Sequence, residues 1–210
     1  MSIIGQLASS LGRRDEVPNQ VLAKLIAADS DSEAVRELID NLANKNKAIQ
    51  SDCIKTLYEI AALKPELVAR HAKVFIALLD TKNNRQQWGA MTAIDHIANN
   101  CPHEVYAALA KIIAVADAGS VITNDHCVGI LIKLCAIAQY TDDAFALLNE
   151  RLLKSPVNQF PMYAENALPA IAERHKPAFI KTLTTRLPDL KKESQTKRVE
   201  KVLRKLSKRK

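Results

Sequence analysis

Residues 57–61, Leu-Tyr-Glu-Ile-Ala (LYEIA), decide the fold, because the chain keeps returning to them. The pattern recurs as IDHIA at 94–98, LCAIA at 134–138 and LPAIA at 168–172, at intervals of 37, 40 and 34 residues. Weaker echoes, LAKLI at 22–26 and LRKLS at 203–207, stand 35 residues outside each end. A Leu and an Ile three residues apart mark one face of a helix. A helical unit repeated every 34 to 40 residues is a hairpin that hides its apolar flank only against its neighbours. The expected class is therefore all-α: a right-handed α-solenoid of about five helical hairpins with a short N-terminal helical cap.

The composition agrees. Hydrophobic residues make up 48% of the 210, yet aromatics only 4%. Such an interior is built from Ala, Leu, Ile and Val, and its helices approach closely. Glycine is scarce and no Asn-Gly hairpin turn occurs. No apolar run reaches the length of a membrane-spanning helix. The opening MSIIGQLASSLGRRD lacks a basic n-region and Ser2 excludes myristoylation, so the expected location is cytoplasmic and no membrane partner is expected. The four cysteines, Cys53, Cys101, Cys127 and Cys135, form no C-x-x-C pair and are expected to be buried, reduced thiols.

The spacing places B helices, which carry the motif, at 47–62, 84–99, 123–138, 158–173 and 190–207. The A helices between them fall at 33–43, 66–80, 103–117, 142–154 and 177–187. Pro65, Pro102 and Pro177 open three A helices, where a missing N–H is harmless; Thr141 and Asp142 are expected to cap a fourth. Asn84, Asn124 and Asn158 share one column and are expected to be N-caps of B helices. Gly89 and Gly129 share another, where a missing side chain lets helices close in. Residues 1–30 read as the cap, and no linker divides residues 1–210, which read as one domain.

These residues resemble the HEAT-repeat family of the armadillo-type superfamily. NNRQQWGAMTAIDHIAN at 83–99 looks like the second helix of a HEAT unit, with its Arg near the start, small residues in the middle and a terminal Ile-Ala. The resemblance covers about 33–207. It implies a curved armadillo-type superhelix and says almost nothing about activity, since one fold hosts many functions. Small uncharacterised HEAT-like proteins look similar too. The expected role is a non-enzymatic scaffold that offers a helical surface to another macromolecule, a protein first.

The enzymatic precedent on this fold is the HEAT-like DNA alkylation-repair glycosylases, whose resemblance implies Trp and Asp residues cradling a nucleotide. Trp88 and Asp95 stand one heptad apart here, but a single Trp makes no aromatic cradle, and Trp88 reads better as a core residue. His96, Cys101 and His103, and likewise His126, Cys127 and Cys135, have poor metal-ligand spacing. No nucleophile motif or phosphate loop is present. No catalytic residue, cofactor or metal is expected.

Charge supplies the candidate surface. Residues 191–210 hold ten basic and two acidic side chains, a net +8 in a chain of net +7. Val199, Val202, Leu203 and Leu206 form the stripe this helix buries. Lys197, Lys201, Arg204 and Lys208 read as one flank, Arg198 and Lys205 as the other. These six are the candidate surface for an acidic or nucleic-acid partner. With no aromatic among them, base stacking is not expected. The plainer reading is a solvated helix that closes the array, with cations suited to its C-terminal dipole. The sequence leaves the oligomeric state open.

Overall fold

The computed structural model describes residues 2–208, which contain thirteen α-helices, short 3-10 segments and no strand. Helix α1 (Val17–Asp29) precedes five A/B pairs. The first is α2 (Ser32–Asp40) with α3 (Lys47–Leu63). In the second, the A segment is split into α4 (Pro65–Ala69) and α5 (Ala72–Leu78), followed by α6 (Asn84–Ile97). The third is split likewise into α7 (Pro102–Ala107) and α8 (Leu109–Ala118), followed by α9 (Val121–Cys135). Then come α10 (Thr141–Lys154) with α11 (Phe160–Ala167), and α12 (Lys176–Arg186) with α13 (Glu193–Lys208).

The splits differ from the single A helices expected at 66–80 and 103–117. His71 (φ −98°, ψ 13°) and Ala108 (φ −93°, ψ 3°) leave the helical region. At those points backbone N–H groups reach back three residues, His71 to Val68 and Ala108 to Val105, and the segment bends. Pro65 and Pro102 hold the first helical position and Pro177 the second, as their missing N–H allows.

Two compact units are distinguishable, Met1–Cys127 and Val128–Lys210. In the first, B packs on B: α1 on α3, and α3 on α6. The A elements form a second layer, α2 against α4 and α5 against α7. In the second unit α10 packs on α12 and α11 on α13. The LYEIA motif and its kin supply the buried row. Leu57, Ile60, Ile94, Ile97, Ala98 and Leu134 are fully buried. The fourth copy departs: Pro169 cannot donate to the ladder, so α11 stops at Ala167 and passes into a 3-10 turn at Leu168–Ala170. Leu168 and Ile171 stay buried nonetheless.

The Asn column does not cap the B helices. The caps lie one residue earlier in two units, at Asn46 and Asn83, whose side-chain oxygens accept from the free N–H groups of the first turn. Asn124 sits inside α9 and its amide donates to the carbonyls of Ala116 and Ser120 at 2.8 and 3.1 Å. Asn158 accepts from Gln195. Thr141 is no cap either, since its hydroxyl donates to the Ile137 carbonyl. Asp142 and Asp143 instead place negative charge on the first turn of α10.

Gly89 does what the alignment expected. A Cβ there would lie 2.6 Å from Ile54 Cγ1 on α3.

Buried polar side chains tie one repeat to the next. Gln86 donates to the Leu42 carbonyl at 2.6 Å. Asn19, fully buried, accepts from the Ala8 N–H at 2.9 Å and donates to Asp52 at 2.7 Å, while Asp52 also accepts from the Ser9 N–H. Arg186 makes the densest set. Its guanidinium donates to the carbonyls of Leu152, Leu153 and Ser155 at 2.7, 2.7 and 2.9 Å and to Asp189 at 2.6 Å, and lies over the Phe160 ring. It thereby satisfies carbonyls freed at the C-terminus of α10, where a cation is also favoured by the dipole.

Two stability predictions follow from this packing. Gly89→Ala should destabilise the protein by about 1–2 kcal/mol, the cost of overpacking less the gain in helix propensity. In urea titrations that cost should shrink by at least about 1 kcal/mol in an Ile54→Ala background, because the two changes share one contact. Arg186→Ala should cost about 3–5 kcal/mol, since it leaves several buried carbonyls unpaired; a loss below about 1 kcal/mol would be incompatible with the role described.

Candidate interaction surfaces

Helix α13 is amphipathic by sequence and is buried accordingly. Val199, Val202 and Leu206 are buried, Leu203 half-buried, and Lys197, Arg198, Lys201, Arg204, Lys205 and Lys208 exposed. Arg209 and Lys210, part of the basic tail in sequence, lie outside the described residues. The six cations are not equivalent. Arg198 is committed to Glu165 of α11 through a two-pronged ion pair, Nε at 3.0 Å and an Nη at 2.6 Å. Lys197 pairs with Glu193 one turn back. Arg204 and Lys208 have no ion pair among the described residues. Lys201 falls with Arg198 and Lys205 rather than with the Lys197 flank: positions 198, 201 and 205 follow helical spacing, and all three line one depression of about 190 Å³ with Glu165, Leu168 and Val202. The Arg198 hydrogen bonds, then the fields of Arg198, Lys201 and Lys205, outweigh partial burial and hold the Glu165 carboxyl below its ordinary value. The helix thus spends one cation on docking to α11 and leaves a positive flank in water.

A second surface, on α3 and α6, was only half legible in the sequence. Trp88 is half-buried rather than a core residue. Its ring sits 5.7 Å from that of Tyr58, and the Arg85 guanidinium lies 4.5 Å above it. Arg85 also pairs with Glu16. Lys55, buried, reaches Glu16 at 3.0 Å and Glu59 at 2.6 Å and lies over the Tyr58 ring. Burial opposes its charge, but hydrogen bonds to Glu59, Tyr58 and Glu16 prevail and raise its pKa above the ordinary lysine value. Glu16 loses hydration, yet its bonds to Lys55 and Arg85 win and lower its pKa. The result is an aromatic pair framed by fixed charges of both signs. Its signal in the sequence is a cation three residues before an aromatic on each of two neighbouring B helices, Lys55 with Tyr58 and Arg85 with Trp88.

Asp95 and His126 come together across α6 and α9, with Oδ2 and Nδ1 2.8 Å apart. Each has a neighbour of the opposite type beside it in the chain, His96 and Asp125, but this contact joins two repeats. The His96 ring lies 6.4 Å from that of His126. Among the described residues no three His, Cys, Asp or Glu side chains gather as a metal ion would need. All four cysteines are free and buried. Burial pushes the thiols of Cys53 and Cys135 up to about 12 and that of Cys101 to about 11, which keeps them protonated and unreactive. No described helix is long and apolar enough to cross a membrane.

No family model matches the chain, and no curated protein does. Solved structures do match it over nearly its whole length. An engineered protein superposes with a TM-score of 0.67 at 17% identity, covering 99% of this chain and 97% of that one. A computationally designed armadillo repeat protein for modular peptide recognition gives 0.64 at 16% identity, over 96% and 97%. A designed armadillo repeat protein in complex with the peptide (KR)4 gives 0.66 at 18% identity, over 98% and 89%. The chain has the armadillo/HEAT-type α-solenoid fold. The split A segments of its second and third repeats make three-helix units, while the other repeats keep two helices, and both forms belong to this fold.

The Glu165–Arg198 pair should leave a small pH signature. Its carboxyl is held below 4.5, so the stabilisation is complete above that value and fades as pH falls through the lowered one. Wild type should exceed Glu165→Gln by about 0.5 kcal/mol near neutrality, the scale of a partly exposed pair. Thermal melts of the two should converge in acid.

Proposed function

We propose that this chain is a non-enzymatic scaffold that binds a protein partner across its B helices. The observation that supports this most is the α3/α6 surface. Tyr58, Arg85 and Trp88 are the residue types that dominate binding energy in protein interfaces, and here Arg85 and Trp88 stand half-exposed in fixed positions over the buried Tyr58 of the neighbouring repeat. The rigid charges around them would favour a partner segment that carries both an apolar anchor and polar groups. A designed neighbour of the same fold holds a peptide of Lys and Arg, which is compatible with peptide capture on such a surface. A glycosylase-like reading is weaker: one side of Trp88 is taken by Arg85 and another by Tyr58, and Asp95 is bonded to His126. Neither residue is poised to cradle a nucleotide.

The second reading is sequence-independent nucleic-acid binding through α13. It is favoured by exposed cations that pair with no carboxylate among the described residues, Arg204 and Lys208, beside Lys201 and Lys205. Phosphate contacts of that kind depend steeply on salt.

Both readings are open to test with the full chain. Immobilised wild type should retain a specific protein from an extract of its own cells. Trp88→Ala should weaken that complex about 30-fold, as loss of an aromatic anchor does, while circular dichroism stays helical. If Trp88→Ala retains its partner unchanged, the α3/α6 surface is not the site. Neutralising Lys197, Arg198, Lys201, Arg204 and Lys205 should leave that complex intact. DNA or RNA binding with a steep salt slope that collapses in this five-site variant would favour the second reading instead.

A further inference from the structure

We propose that two copies of this chain pair through the outward face of α1, packed antiparallel about a two-fold axis at Val21. The inner face of α1 is an ordinary B-helix face: Leu22, Ala23, Ile26 and Ala27 are buried in the layer that continues to α3. The opposite face carries Val17, Val21 and Leu25 at i, i+4 and i+8, and these are 49%, 51% and 53% exposed. Leu11, just before the helix, is 55% exposed. The other large exposed apolar residues, Leu63, Val121, Ile122 and Leu153, are spread over three further helices. Only on α1 do they line up.

That face has the character of an interior contact left in water. Arrays of this kind stay soluble by giving their terminal repeats polar outer faces. Helix α13 obeys this rule, with Lys197, Glu200, Lys201, Arg204 and Lys208 outward. Helix α1 does not. Four half-exposed side chains amount to on the order of 300 Å² of apolar surface, the size of patch that usually has a use. Two copies would bury about 600 Å² of apolar area. At the usual apolar share of an interface, that corresponds to about 1,000 Å² in all, the lower bound for a specific contact.

The charges choose a second copy and its direction. Arg14 lies three residues before Val17, and Asp29 lies four after Leu25. Neither makes an ion pair among the described residues, whereas Arg13 is tied to Asp15. With the axis at Val21, each Val17 meets the second copy's Leu25. The same register sets Arg14 beside the second copy's Asp29, and symmetry forms that pair twice. Parallel packing would set Arg14 against Arg14 and Asp29 against Asp29. The stripe is thus self-complementary in shape and in charge only when antiparallel.

Sedimentation velocity of the full chain across the micromolar range tests this. Wild type should pass from monomer to dimer as concentration rises. Val21→Glu, which would bring two carboxylates together on the axis, should raise the dimer Kd at least about 100-fold, the scale of losing a central anchor and burying like charges. Asp29→Arg should raise it about 5-fold through two exposed pairs, and the swap Arg14→Glu with Asp29→Arg should restore it. Circular dichroism should stay helical throughout, since the altered side chains are exposed. If Val21→Glu does not fold, the Asp29→Arg loss and its restoration by the swap decide the matter. A wild type that stays monomeric at every concentration overturns the proposal. So does a dimer that both Val21→Glu and Asp29→Arg leave intact, which would place the contact elsewhere.

Discussion

The close approach of one B helix to the next is the constraint on which the first unit depends. Ile54 fills the place that a side chain at position 89 would occupy. Neither α3 nor α6 can hide its motif row alone, because a two-helix hairpin has a single contact face and two flanks. Bringing α6 within a side chain's depth of α3 buries both flanks at once. The rest adjusts to that distance: small residues, Ala90 and Ala93, sit fully buried along α6. A glycine in a helix is intrinsically unfavourable by about 1 kcal/mol, so its place here is explained by the contact and by nothing local.

Apolar rows alone would let hairpins slide along one another, since every row is Ala, Leu and Ile. The buried polar side chains remove that freedom. Gln86 finds one carbonyl, Leu42, from the preceding repeat. Arg186 finds three at the end of α10. Asn19 and Asp52 fix residues 8 and 9 against α1 and α3. A shift by one turn would strand these groups without partners, at a cost of about 1–3 kcal/mol each. Register is therefore set by polar contacts and adhesion by apolar ones.

The division also explains what the sequence disclosed. Period and motif are adhesive features, carried by residue type at fixed spacing, and they located four B helices to within three residues and the fourth in the chain, α11, except for its last six. The polar contacts join positions some 30 to 45 residues apart with no common motif, and periodicity is blind to them. Asn124 and Asn158 show the error this invites. They align with Asn84 in the column, yet the caps form one residue before it only in the first two units, at Asn46 and Asn83, and Asn124 turns to carbonyls of Ala116 on α8 and of Ser120. The Asp95–His126 contact is equally invisible to periodicity, since it joins α6 to α9. The A-helix breaks at His71 and Ala108 were equally silent, because a single residue leaving the helical region does not disturb the apolar spacing around it. On the candidate surfaces, the sequence named the cations of α13 but not which of them Glu165 would claim, and it put Trp88 in the core when only part of the ring is covered.

The two terminal B-type helices, α1 and α13, show how little sequence separates a closed end from an adhesive one. Both bury a stripe with the same spacing: Leu22 and Ile26 in one, Val202 and Leu206 in the other. Their outward rows differ in residue type, Val17, Val21 and Leu25 beside Gln20 and Lys24 in one, Lys197, Lys201, Arg204 and Lys208 in the other. A repeat unit is made to stick on both sides, so an end must be silenced by charge, and α13 carries that charge. Charge of that kind suits a helix flank that faces water. The aliphatic flank of α1 has no such structural explanation, since exposure of three branched side chains in a row opposes solubility and contributes nothing to the monomer. The feature that asks for a partner is therefore the plain end of the array as much as its charged one.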